Sequence, residues 1–120
     1  MNEIRLGNIE SKFADIVWAH APLSTSELVK LCESELGWKR TTTYTVLKRL
    51  SDRGIFKNDN RTVTALISKE EFYSMQSERV VKDSFGGSLP AFVAAFTARQ
   101  YLNEREIEEI RRIIDNMKRG

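Results

Sequence analysis

Two glycines, Gly37 and Gly54, set the tightest limit on what this chain can fold into. Each closes a short run with helical apolar spacing, and glycine is the residue that most readily ends a helix in the left-handed conformation. Between them Thr43, Val46, Leu47 and Leu50 recur at i, i+3, i+4 and i+7. That spacing gives one apolar stripe to a helix over residues 40 to 53. Ahead of Gly37, Ser24 and Glu27 form a capping-box pattern that opens a helix carrying Leu28, Leu31, Cys32 and Leu36. Earlier still, Leu6, Ile9, Phe13, Ile16 and Val17 mark a first helix over residues 6 to 19, with Pro22 past its end. After Gly54, residues 55 to 57 and 62 to 67 flank Asn58-Asp59-Asn60 and read as a two-stranded hairpin, with Val63, Ala65 and Ile67 alternating with Thr64 and Leu66.

Three short helices and a hairpin follow the winged helix-turn-helix plan. Beyond Ser68 the chain changes character. Ser68 with Glu71 opens a helix to about residue 84, with Phe72, Met75, Val80 and Val81 as its apolar positions. Gly86-Gly87 breaks it, and a short helix follows with Leu89, Phe92, Val93 and Phe96 on one face. Asn103 with Glu106 starts a last helix whose stripe, Ile107, Ile110, Ile114 and Met117, has the spacing of a coiled-coil seam. The expected fold is mainly α with a small β-hairpin wing. Residues 1–68 form a winged-helix domain and residues 69–120 a helical dimerisation domain. Three amphipathic helices appended to so small a module need something to bury against, and a second copy of the chain supplies it. The expected dimerisation residues are Phe72, Met75, Phe92, Phe96, Ile107, Ile110, Ile114 and Met117.

The net charge of +2 over 120 residues says little, but its distribution says more. Residues 1 to 37 carry three basic and six acidic side chains. Residues 38 to 61 carry Lys39, Arg40, Lys48, Arg49, Arg53, Lys57 and Arg61 against only Asp52 and Asp59, a net of +5. The remainder is balanced. A local basic patch points to a polyanionic partner. A hydrophobic content of 41% and a charged content of 30% fit a globular protein. The run from Leu89 to Phe96 is too short to span a bilayer, and Met1 opens a polar stretch with no signal segment, so a cytoplasmic location without membrane insertion is expected. In that compartment the acceptor pattern Asn60-Arg61-Thr62 goes unglycosylated.

The patch coincides with an unusual helix face. Thr41, Thr42, Tyr44, Thr45 and Lys48 lie opposite or beside the apolar stripe, and β-branched threonines are poor choices for a merely solvated helix. A local rule broken on an exposed face suggests function. A threonine hydroxyl bonds phosphates or base edges, and its methyl contacts a thymine methyl. Lys39 and Arg40 stand at the helix start, where backbone N–H groups also favour phosphate. Lys57 and Arg61 flank the hairpin turn and are expected to touch neighbouring backbone. The expected DNA-binding set is therefore Lys39, Arg40, Thr41, Thr42, Tyr44, Thr45, Lys48, Lys57 and Arg61, with double-stranded operator DNA as partner.

Other residues take a plainer reading. His20 has no second ligand or base near it in sequence, and Cys32 lies on an apolar face as a small core residue. Trp18 and Trp38 suit core and edge packing. No serine-histidine-aspartate set, phosphate-cradling glycine loop or metal spacing occurs, so neither an enzyme nor a cofactor is expected. The alternative reading is a winged helix that docks protein and binds no specific DNA.

Trp18, the block Trp38, Thr42, Thr45, Leu47, Arg49, Leu50 and Gly54, the hairpin, Gly86-Gly87 and Ile107-Glu108-Glu109-Ile110 together resemble the penicillinase-repressor family of BlaI/MecI-type regulators, with their copper-responsive relatives. The resemblance implies a homodimeric repressor on palindromic operators of TACA/TGTA type, controlling β-lactam resistance genes. It assigns Thr41, Thr42, Tyr44 and Thr45 to the recognition surface, where some members carry basic residues at the positions of Thr41 and Tyr44. It implies derepression by proteolysis near Ala95-Phe96, triggered indirectly by a membrane-bound sensor protease. The family residue before that phenylalanine is typically asparagine, and here it is Ala95. The C-terminal part lacks the cysteines of the copper-responsive members, so no metal is expected.

Overall fold

A computed structural model describes residues 6–119. The expected boundaries at residues 1 and 120 lie outside the described residues. The elements run α1 (Asn8–His20), β1 (Leu23–Ser24), α2 (Thr25–Leu36), α3 (Arg40–Asp52), β2 (Phe56–Asp59), β3 (Thr62–Ala65), α4 (Lys69–Phe85), α5 (Leu89–Thr97) and α6 (Glu104–Arg119). Mainly helical, with a small wing, the architecture is the one the spacing predicts.

The first unit extends to Arg79. Its core joins Phe13 and Val17 of α1, Leu28 and Cys32 of α2, Val46, Leu47 and Leu50 of α3, and Phe56 and Val63 of the wing. Aromatic rings lock it. Phe13 stacks on Trp38 at 5.7 Å, and Trp18 meets Phe56 edge-on at 5.5 Å. Trp18 Nε1 also donates to the Ile67 carbonyl at 3.1 Å, so its one polar atom is satisfied. Helix α2 begins as expected. Ser24 Oγ accepts from Glu27 N at 3.1 Å, and the Glu27 carboxylate accepts from Ser24 N at 3.0 Å. It ends at Gly37, whose φ of 69° lets its N–H reach back to the Glu33 carbonyl.

Several expectations change on folding. The wing has three strands, ordered β1-β3-β2, because Leu23 and Ser24 pair with Val63 and Thr62. Val63 is buried, but β3 stops at Ala65, which is itself exposed, so the expected alternation breaks at that residue. Ile9, expected on the apolar face of α1, is also exposed. Phe72 requires correction as a dimerisation residue. It is 1% exposed inside the first unit's core, with its ring 5.7 Å from Trp18, and so is closed to a partner. Tyr73 lies 6.1 Å from Trp18 as well. With this packing, the contacts divide the chain within α4, between Arg79 and Val80.

The second unit begins at Val80. Its helices are well capped: Ser88 Oγ takes the Ala91 N–H, and Asn103 and Glu106 exchange a reciprocal pair. Phe92 packs edge-on to Phe85 at 5.4 Å and lies beside Phe96 at 6.4 Å. Yet among the described residues no side chain of this unit is buried. Val80, Leu89, Val93, Phe96, Ile110, Ile113, Ile114 and Met117 are all exposed.

Candidate nucleic-acid interface

Helix α3 owes its orientation to its inner face. Thr43, Val46, Leu47 and Leu50 are buried, which turns Thr41, Thr42, Tyr44, Thr45 and Lys48 outward. Thr43 solves its own burial by donating its hydroxyl to the Lys39 carbonyl at 3.3 Å. An ion-pair set that sequence reading missed fixes the opposite end. Glu10 of α1 meets Arg49 at 3.1 Å and Arg53 at 3.8 Å. Burial pushes the Glu10 carboxyl up, but the Gly7 N–H, the Arg49 hydrogen bond and the two guanidinium charges outweigh it and hold the carboxyl below its ordinary value. No local pattern could reveal a pair separated by 39 positions.

The start of α3 differs from every other helix start. A side-chain oxygen takes a first-turn or cap N–H in α1 (Glu10), α2 (Ser24), α4 (Ser68), α5 (Ser88) and α6 (Asn103). Lys39, the N-cap of α3, makes no such bond, and the first turn holds no acidic residue. Unsatisfied N–H groups beside Lys39 and Arg40 form an electropositive end suited to a phosphate.

Salt bridges divide the basic patch. Arg49 and Arg53 face Glu10, Lys48 faces Asp52 at 3.2 Å, and Lys57 faces Asp59 at 3.9 Å. Lys39, Arg40 and Arg61 have no carboxylate partner among the described residues. The Arg40 guanidinium lies over the Tyr44 ring, 5.9 Å from its centroid. The Thr25 hydroxyl, then Arg40 and Arg61, draw the Tyr44 phenol below its ordinary value against the effect of burial. Arg61 thus lies within electrostatic reach of α3, and Lys57 lies on β2. Arg61 and Asn60 form the two-residue turn of the wing with φ of 65° and 51°. The Arg61 carbonyl accepts from Thr25 N at 3.0 Å, tying the wing tip to the start of α2.

The threonines are not equivalent. The Thr45 hydroxyl donates to the Thr41 carbonyl at 2.9 Å, so that hydrogen is already committed within the helix. Of the residues given a plainer reading, Cys32 is fully buried, and burial pushes its thiol up. His20 is exposed at the end of α1. Among the described residues no cluster of potential metal ligands forms, and no helix is long and apolar enough to cross a membrane.

The penicillinase repressor family model matches residues 6–116. The chain belongs to the penicillinase repressor family. Within that family it is 22% identical to the penicillinase repressor of Bacillus licheniformis over 95% of this chain and 92% of that one. It is 23% identical to the methicillin resistance regulatory protein MecI of Staphylococcus aureus over 92% and 93% of the two chains. A penicillinase repressor of Staphylococcus aureus is 24% identical over 96% and 94%. The repressor-family match spans both units, from Leu6 in front of α1 into α6.

Proposed function

We propose that this member of the repressor family is a homodimeric transcriptional repressor, not an enzyme, that occupies a palindromic operator and blocks transcription. The observation that carries the reading is the bare, basic first turn of α3 beside an exposed threonine face. An α-helix fits the major groove of B-DNA, with its N-terminal residues toward the base edges. Lys39, Arg40 and Arg61, free of intramolecular carboxylates, take phosphates and set the register. Thr41, Thr42, Tyr44, Thr45 and Lys48 face the bases. Lys57 is a weaker phosphate contact, since Asp59 already offsets it.

The dimer reading rests on the second unit's bare apolar side chains. Full burial of each is worth about 1.5–3 kcal/mol. Recovering even half of that across eight residues is comparable to the net stability of a small domain, roughly 5–15 kcal/mol. Met75, Phe92, Phe96, Ile107, Ile110, Ile114 and Met117 remain in the proposed seam. Ile113, 62% exposed, joins them and widens it. Derepression by proteolysis in this unit, with a membrane-bound sensor protease acting upstream, is the regulation the family relationship suggests. Control of β-lactam resistance genes and a cytoplasmic location belong to the same proposal. The bond first expected to be cut, Ala95–Phe96, lies inside α5, so cleavage there needs that helix to open.

Footprinting of the purified protein on its own upstream DNA tests the reading. Protection of two symmetric half-sites, weakened by Thr45→Ala and Lys48→Ala, is the expected result. A protein that protects nothing, or whose binding ignores both substitutions, favours a protein-docking winged helix instead.

A further inference from the structure

One residue of the reading face opposes everything around it. Asp52 is the last residue of α3, on the same stripe as Thr41, Thr45 and Lys48, and its side chain is 67% exposed. A carboxylate in the last turn faces the negative end of the helix dipole. Its partner Lys48 lies four residues N-terminal, the less favourable order for a helical acid–base pair. An exposed pair of this kind adds little to stability. A carboxylate on a DNA-facing helix also repels phosphate. Asp52 therefore gains the fold almost nothing and works against affinity.

We infer that Asp52 is a specificity-determining residue, acting through Lys48; this rests on the DNA-binding reading above. Lys48 Nζ is 3.2 Å from Asp52 Oδ2, and its side chain is 78% exposed. An unrestrained lysine on this face swings to the nearest phosphate, a contact that every sequence offers equally. Held by Asp52, the ammonium stays over the helix face with donors left for an acceptor on a base edge. Any approach that brings backbone phosphate to the end of α3 meets the Asp52 charge. Weak binding to the wrong DNA is thereby traded for discrimination, which is specificity by repulsion as much as by attraction. Within the basic stretch from residue 38 to 61, Asp52 and Asp59 are the only acidic residues. Asp52 is the one on α3.

The test measures binding of the full chain to its footprinted operator and to a random duplex across a salt series. Asp52→Asn and Asp52→Ala leave the melting temperature unchanged or slightly raised. Both tighten random-duplex binding by roughly threefold to tenfold and steepen its log–log salt dependence by about one per protomer. The operator-to-random ratio falls accordingly, and Asp52→Glu, which keeps the charge and the i,i+4 reach, restores it. Lys48→Ala with Asp52→Asn removes the gained salt slope. An unchanged ratio and slope in Asp52→Asn, or an equal loss on both duplexes, overturns the inference. A wild-type protein with no preference for its operator overturns the DNA-binding reading instead, and the two failures are told apart by the wild-type ratio alone.

Discussion

Arg61 is the least comfortable residue in the wing. Its φ of 65° places a side chain with a Cβ where glycine is the natural occupant of a two-residue turn. Arg61→Gly relieves that strain and is expected to raise stability by about 1 kcal/mol in thermal melts. The same change removes a charge with no internal partner, so operator affinity falls while stability rises. A substitution that loses both, or neither, contradicts the phosphate role. Glu10 works in the other direction. Its carboxyl is held below its ordinary value by Gly7, Arg49 and Arg53, so the stability it adds is present above that ordinary value. It is lost as pH falls through the depressed value. Glu10→Gln therefore costs about 1 kcal/mol at neutral pH. The gap between the two proteins closes in acid, which urea melts at a series of pH values would read.

Among the elements, α3 answers most closely to its spacing. All four residues assigned inward are buried, and all five assigned outward are exposed. What spacing cannot reveal is that the Thr45 hydroxyl turns back onto the Thr41 carbonyl. On the proposed DNA-binding reading, its methyl is then the group it offers to DNA. Thr45→Val, which keeps that methyl, should hold operator affinity within about threefold, whereas Thr45→Ala should lose on the order of tenfold. Equal losses in titrations of the two variants would show that the hydroxyl matters after all. The hairpin was legible from its turn residues, but β1 was not. Two residues cannot display an alternation, and Leu23 and Ser24 become a strand only because Val63 and Thr62 arrive beside them. In α4, Phe72 and Met75 share one helical stripe yet part company: the first is buried against Trp18 and the second is 42% exposed. Helical periodicity marks a face as apolar without saying what covers each point along it.

At the scale of the whole molecule, the two units differ in how complete they are. The first buries aromatic and aliphatic side chains from four helices and a sheet. The second leaves its apolar residues bare among the described residues. Ile110→Asp places a charge in the proposed seam. Light scattering is expected to read half the wild-type mass, with operator affinity falling at least a hundredfold as the linkage between half-sites is lost. An unchanged mass would remove Ile110 from the interface.

Among the described residues four helices start with a side-chain oxygen on a first-turn amide, and α3 starts open beside two cations. On the proposed reading, the amides of Arg40, Thr41 and Thr42 trade their hydrogens with solvent until a nucleic-acid phosphate settles on them. Deuterium uptake at those three positions should slow on operator binding more than at the head of any other helix. If the proposal holds, the ligand finishes the very helix that reads it.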